Sequence, residues 1–504
     1  MNFHNDSRVL AIGVDAGEPE LIREMIEREE LPVMKSLLAD GKWLRVESPA
    51  HIGSGSVWPT FITGEDPTKH GIYGEWVWHP ETMGLSRYNG RDLQPFWKEL
   101  TADGMRVGVF DVPFAPFTGF AEGFELSEWG PHDLLEGRMQ VAPDHVADLV
   151  RKEEAHPLLR DRLDTGGPRD YDGVKRLSSE CVRGIRLRGE LARRLMAETN
   201  PHLSIVVFTE IHHSAHYLWH TLSAEHPVYQ PDLFRNLKSC EPTLKDIYRE
   251  VDAQIGRLVE AAGPEATVLV FSLHGMRPTH GVPSFVQPLL CELGYSRLAD
   301  WSSQTWAERA IATMGAVKRR TPSGLKRLYY KSLSPATTLR LARPTMLALY
   351  DWENTRVFAL PADQHGWIHV NLKGREARGI VSPEEYEQTC NELEQILRGL
   401  AASDGRPIVR EVFRTARTVK DALVQRLPDL VVHWEDAAFA SPLKIKDSGF
   451  VSEPVGKKFT GRHARDGFCI LREQSRLCDG DTLRASEMHR LIKSSLRNGA
   501  QVIS

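Results

Sequence analysis

The chain has 504 residues, of which 41% are hydrophobic and 26% charged, and its formal net charge is −5. That length exceeds one small domain and is the range of α/β enzymes with large sheets and inserted segments, so two structural lobes are expected. Lys and Arg are dispersed along the chain rather than massed, which argues against nucleic acid or an anionic membrane as the main partner.

The N-terminal residues M-N-F-H-N-D-S-R contain no apolar stretch of the kind a secretory signal needs, and no later stretch approaches the roughly 18 apolar residues of a spanning helix. Val9 to Val14 (V-L-A-I-G-V) is a continuous apolar run that ends in Asp15-Ala16-Gly17, and Glu18 to Glu30 then carries Leu21, Ile22, Met25 and Ile26 at helical spacing. A buried strand, a polar turn and a helix form the opening of a βα unit, which places Asp15 at the carboxyl end of a strand, where open α/β sheets bind their ligands. Next come Gly53, Ser54 and Gly55, ahead of a helix-compatible run Val57 to Thr63 and a Gly-Glu-Asp-Pro breaker. Glycines there let backbone approach a ligand closely, and the free N–H groups of a helix start favour an anion; the same residues also fit an ordinary N-cap serine.

Further apolar strands are expected at Arg106 to Asp111, Leu203 to Thr209, Thr267 to Ser272 and Leu430 to His433, alternating with helical segments. The fold class is therefore α/β, a doubly wound, mostly parallel sheet with helices on both faces. Pro143 to Asn200 and Pro288 to Pro344 break the alternation, with helical spacing and no strand, and are expected as helical insertions, the second a cap. They divide the core into 1–142, 201–287 and 345–504. Asp351 to Leu372 returns to strand-like patterning and Pro383 to Leu400 is an amphipathic helix. The cysteines Cys181, Cys240, Cys291, Cys390, Cys469 and Cys478 lie far apart with no C-x-x-C pair, so scattered thiols in a cytoplasmic protein are expected.

The run from Ser54 through T-G-E-D-P-T-K-H-G-I resembles the nucleophile segment of the type I phosphodiesterase/nucleotide pyrophosphatase group of the alkaline phosphatase superfamily. In that group a Ser or Thr stands nine residues before the Thr of a T-G-x-x-P-x-x-H-G-[IV] signature, and Ser54 stands nine before Thr63. The resemblance implies an alkaline-phosphatase-like fold and a phosphoseryl intermediate on Ser54. It also implies a site in which a pair of divalent ions roughly 3.5–4 Å apart clamps the attacking and leaving oxygens. Three further segments match in order. His216 follows the Leu203 strand in F-T-E-I-H-H-S-A-H, His274 lies in F-S-L-H-G-M, and His463 lies in G-R-H-A-R-D-G. With Asp15 and Ser54 they stand at the places of metal-binding residues in that group.

Two places depart from the pattern. The group's D-x-x-x-H pair has its aspartate four residues before the histidine, and here that residue is His212; the aspartate expected before His274 is Leu273, which binds no metal. Two of three family carboxylates are thus missing. Glu210 is a substitute carboxylate in one reading and a capping or surface glutamate in the other. One or two divalent ions remain open, zinc first, with manganese or iron as alternatives. Lys69, His70, Arg277 and His280 are read as substrate-binding or structural residues alike.

The function expected from these residues is metal-dependent hydrolysis of a small-molecule phosphoric ester, with no nucleic-acid or membrane partner. Transfer of the phosphoryl group from the same serine to another hydroxyl, or simple binding of a phosphorylated ligand, are the alternatives.

Overall fold

The computed structural model describes residues 7–90, 92–131, 135, 138–158, 171–226, 229, 243–279, 285–300, 313, 350–362, 364–402, 404–435, 459–473 and 480–496. The chain opens with strand β1 (Val9–Val14), helices α1 (Pro19–Glu27) and α2 (Pro32–Ala39), and strand β2 (Lys42–Glu47). Helices α3 (Val57–Thr63) and α4 (Pro67–His70) carry the Ser54 segment, and a hairpin β3 (Trp76–His79) and β4 (Gly84–Arg87) follows. Helix α5 (Phe96–Ala102) leads to strands β5 (Val107–Phe110), β6 (Gly123–Ser127) and β7 (Gln140–Ala142). Then come helices α6 (Asp144–Lys152) and α7 (Tyr171–Thr199), strand β8 (Leu203–Phe208), helix α8 (Glu210–Leu218), helix α9 (Leu244–Ala262), and strands β9 (Thr267–Ser272) and β10 (Gly275–Pro278).

Among the described residues the main sheet has nine strands, ordered β17, β2, β16, β9, β1, β8, β5, β6, β7, where β16 is Gly467–Arg472 and β17 is Thr482–Arg484. Its centre is parallel: β1 pairs with β8 and β9, and β5 with β8 and β6. Only β16 and β7 run against their neighbours. Strands β1, β8 and β9 are buried along their whole length, because helices cover both faces. Alternate residues therefore feed two cores: Leu10, Ile12 and Val14 point to one, Val9 and Ala11 to the other. No helix among the described residues is long and apolar enough to cross a membrane.

A second, antiparallel sheet is formed by β11 (Val357–Leu360), β12 (Gly366–Val370), β13 (Val409–Arg414) and β14 (Leu430–Trp434), in the order β11, β12, β14, β13. The expected Leu430 strand thus exists but belongs to this smaller sheet, not to the main one. Its covering helix, Pro383–Arg398, starts with a Ser382/Glu385 capping box. The Pro143 to Asn200 stretch contains α6 and the 29-residue α7, whose Leu191, Ala192 and Leu195 pack into the main core beside Ile247, Val251 and Ile255 of α9. Most of the Pro288 to Pro344 stretch lies outside the described residues.

Candidate active site

Helix α8 begins directly after β8, so its first turns stand at the carboxyl edge of the main sheet. His212 and His216 are four apart and share one face of it. Strand β15 (Gly461–Ala464) pairs antiparallel with β10, His463 opposite Met276, and carries the third imidazole to the same place. The Nε2 atoms of His212 and His463 are 2.7 Å apart, and that of His216 lies 3.0 Å from each. Lone pairs on three ring nitrogens at such distances repel unless a proton or a metal cation lies between them.

The opposite nitrogen of each ring is held. His216 Nδ1 lies 3.0 Å from the carbonyl oxygen of Gly461, an acceptor only, so this nitrogen carries the proton and Nε2 is left with its lone pair. His212 Nδ1 lies 3.0 Å from Asp15 Oδ2. The amide nitrogen of Gln364 is 2.6 Å from His463 Nδ1, while the amide oxygen is buried without a hydrogen-bond partner. Exchanging the two ends of that amide lets the oxygen accept from Nδ1–H and directs the His463 lone pair inward as well. Burial, and then the charges of His216, His274 and His212, hold His463 well below the usual histidine range, so its ring is neutral. Imidazoles that present a ring nitrogen inward and are approached at the outer nitrogen by an oxygen or an amide are the donor set that a divalent metal of the zinc type requires. The cluster His212, His216 and His463 fits such an ion.

Asp15 is 1% exposed; its Oδ1 accepts from the indole N–H of Trp58 at 2.9 Å, and its Oδ2 lies at ion-pair distance, 3.0 Å, from His212 Nδ1. His274 donates from Nδ1 to the Gly275 carbonyl at 3.1 Å, and its Nε2 is 3.9 Å from Asp15 Oδ1. Leu273 does not face this group of side chains. It lies in the apolar core with Trp58, Phe61 and Phe271.

Ser54 opens a single 3₁₀ turn, Ser54–Ser56, that runs into α3. The flanking glycines serve the fold: a Cβ on Gly53 would lie 2.1 Å from the Tyr73 carbonyl oxygen, and one on Gly55 2.5 Å from Gly74 Cα. Ser56, not Ser54, holds the turn, donating to Gly53 O at 2.6 Å and Pro49 O at 3.0 Å. Trp367 of β12 donates to Ile52 O and His433 of β14 to His51 O, tying the loop to the second sheet. His70 is structural: Nδ1 accepts from Ile72 N–H, and Nε2 is 3.1 Å from Thr60 Oγ1.

Glu210 is placed apart from the histidine cluster. Its carboxylate is fully buried against Arg188 of α7 at 2.8 Å and His156 at 3.0 Å, and Arg188 also reaches Asp111 at 2.9 Å and Thr209 Oγ1 at 3.1 Å. Burial alone would raise its pKa, but Arg188 and His156 hold it below the ordinary carboxylate range. Truncating Arg188 leaves two buried carboxylates facing an emptied space, so Arg188→Met is expected to cost about 3–5 kcal/mol in denaturant unfolding. Arg188→Lys recovers little of that, because one ammonium cannot span three partners.

Glu18, three residues beyond Asp15, accepts from the backbone N–H of Met276 at 2.8 Å and of Glu20 at 3.4 Å. Burial pushes its carboxyl up from 4.5 to about 7 against those hydrogen bonds. Between those two values the unfolded chain has released a proton that the folded chain keeps. Stability should therefore fall as pH rises through that window, by on the order of 3 kcal/mol in all. In Glu18→Gln this part of the slope should be absent from pH-dependent unfolding curves.

The structure brings Asp15, His212, His216, His274 and His463 together, while Glu210 is engaged in the Arg188 network. The sequence reading missed Trp58 and Gln364. Arg277 is half-exposed, 3.7 Å from Glu20, and His280 lies outside the described residues. A separate cavity of about 350 Å³ lies beyond β5 and β6, lined among others by Asp111, Phe114 and Glu128.

Fold and site together define an alkaline-phosphatase-like α/β protein built for phosphoester chemistry. The chain belongs to the type I phosphodiesterase/nucleotide pyrophosphatase family, phosphoester hydrolases whose family profile matches residues 9–464. Among solved structures it is similar to phosphonoacetate hydrolase from Sinorhizobium meliloti 1021. The complex with phosphonoformate gives 14% identity over 97% of this chain and 96% of that one, with a TM-score of 0.50. The complex with phosphonoacetate gives 13% identity, the same coverage and a TM-score of 0.51. Murine ectonucleotide pyrophosphatase/phosphodiesterase 5, in an inactive form bound to AMP, gives 9% identity over 99% and 96% of the two chains, with a TM-score of 0.44. No curated protein sequence matches the chain.

Proposed function

We propose that this protein is a divalent-metal-dependent hydrolase of small phosphoric esters that works through a phosphoseryl intermediate on Ser54. The observation that carries the reading is the convergence of three Nε2 atoms, from His212, His216 and His463, with every outer nitrogen held by an oxygen or an amide. Such a set leaves a position open to substrate and suits zinc, with manganese or iron as alternatives. When bound there, the ion supplies Lewis-acid stabilisation of phosphoryl oxygens and lowers the pKa of a hydroxyl or water beside it.

The rest falls to the chain's own residues. Ser54 Oγ attacks phosphorus in line; the new O–P bond forms as the bond to the leaving alcohol breaks, and water then cleaves the seryl phosphate to regenerate the hydroxyl. The ties of its loop to Trp367 and His433 fix where that hydroxyl stands, and the hydrogen bonds of Ser56 keep the turn closed. A cytoplasmic setting fits the thiols of Cys181 and Cys390, which are buried and in no disulfide.

The test is a panel of aryl phosphate monoesters and diesters assayed before and after chelation. Turnover is expected to disappear with the chelator and to return with added zinc. Turnover that survives a verified loss of metal would refute the metal requirement.

A further inference from the structure

Resting on that metal-dependent reading, we infer that the protein holds a single divalent ion, on His212, His216 and His463, and that the second metal position of its family is closed. Asp15, which stands at the place of a metal-binding residue in the family pattern, here serves as the carboxylate behind His212.

Three observations carry this. First, the carboxylate that the family pattern places before His274 is replaced by Leu273, buried among Trp58, Phe61 and Phe271, which offers no ligand atom. Second, Asp15 Oδ1 accepts from the indole N–H of Trp58 at 2.9 Å, so a fixed donor stands where cation charge would otherwise be compensated. Asp15 Oδ2 lies 3.0 Å from His212 Nδ1, within the distance at which a carboxylate behind a metal-binding imidazole orients its ring. His212 has thus taken over as ligand from the aspartate expected at its position, and Asp15 supports it from behind.

Third, among the described residues the charges balance for one ion and not for two. Two dications against the carboxylate of Asp15 leave three uncompensated positive charges a few ångströms apart in a buried site, whereas one dication leaves one. The other carboxylates on these segments do not help, since Glu210 is bound to Arg188 and His156, and Glu18 to the Met276 and Glu20 amides. Loss of two family carboxylates and loss of one ion are therefore the same change.

The deciding measurement is metal content. Apoprotein is loaded with excess zinc, freed of unbound metal and analysed by elemental mass spectrometry, with the affinity taken from a competitive chelator titration. One zinc per chain is expected for the parent protein. Asp15→Asn, which keeps an acceptor but removes the charge, should still bind one zinc, with affinity reduced by about 10- to 100-fold. Two ions per chain in the parent would overturn the single-ion inference while leaving the metal-dependent hydrolase reading intact. Failure to bind any ion would overturn both. Folding of the variant is checked by its circular dichroism spectrum, and the parent stoichiometry decides the matter even if that variant does not fold.

Discussion

Ser54→Ala is expected to lower turnover of every phosphoester substrate by at least about 10³-fold while leaving metal content and fold unchanged. The expectation follows from what the residue does not do for the structure. Ser54 is only partly buried, and no side-chain cap closes the 3₁₀ turn it opens. The bonds that keep that turn closed come from Ser56 Oγ to Gly53 and Pro49, so the neighbouring serine is the matched control. Ser56→Ala should cost about 1 kcal/mol of stability, with a smaller effect on turnover that comes through loosening of the loop. Steady-state kinetics and thermal unfolding of the two variants separate a nucleophile from a structural serine. Equal turnover by Ser54→Ala and the parent would remove Ser54 from the mechanism.

Parts of this arrangement could be read from the sequence, and the parts that could not share a physical cause. The continuous apolar runs at Val9, Leu203 and Thr267 announced buried parallel strands, because a sheet covered on both faces has no polar alternation. The run at Leu430 has the same character yet lies in the second sheet, since an apolar stretch of five residues carries no information about which strands it will pair with. His212 and His216 were legible as a pair only through the group's D-x-x-x-H spacing, and helix α8 is what turns that spacing of four into one face. His463 was likewise legible only through its segment's resemblance, since pairing with β10 brings it in from 251 residues beyond His212. Trp58 reads as one more apolar residue in V-W-P-T-F-I-T, and only the fold shows its N–H on Asp15. Gln364 is a lone amide with no spacing signal. Arg188 sits in the run R-G-I-R-L-R-G-E, where a solvated helix face is the natural reading, yet it is 0% exposed. Its partners Asp111 and Glu210 are 77 and 22 residues distant in sequence. The same network accounts for Glu210, whose charge was visible in the sequence and whose counter-ion was not.

The second large effect is expected at the proposed metal ligands. In the parent protein, zinc that binds the folded chain alone should raise the unfolding free energy by about 2.7 kcal/mol when free metal is a hundredfold above its dissociation constant, and a chelator should remove that increment. His216→Ala deletes one of three converging nitrogens and should abolish both the zinc-dependent shift and turnover. The apoprotein should stay folded, because α8 keeps Ile211, Ala215 and Leu218 in the main core. Gln364→Leu acts one step further out: it removes the amide beside His463 Nδ1 but leaves all three ligands in place, so zinc affinity should fall by about 10- to 100-fold without vanishing. Lowering the pH acts on the same equilibrium, since protons compete with the ion for the Nε2 lone pairs, and the zinc-dependent increment should shrink on acidification. A zinc-dependent increment in His216→Ala as large as the parent's would show that the metal is held elsewhere, for the remaining nitrogens of His212 and His463 cannot alone reproduce the donor set from which the site is built.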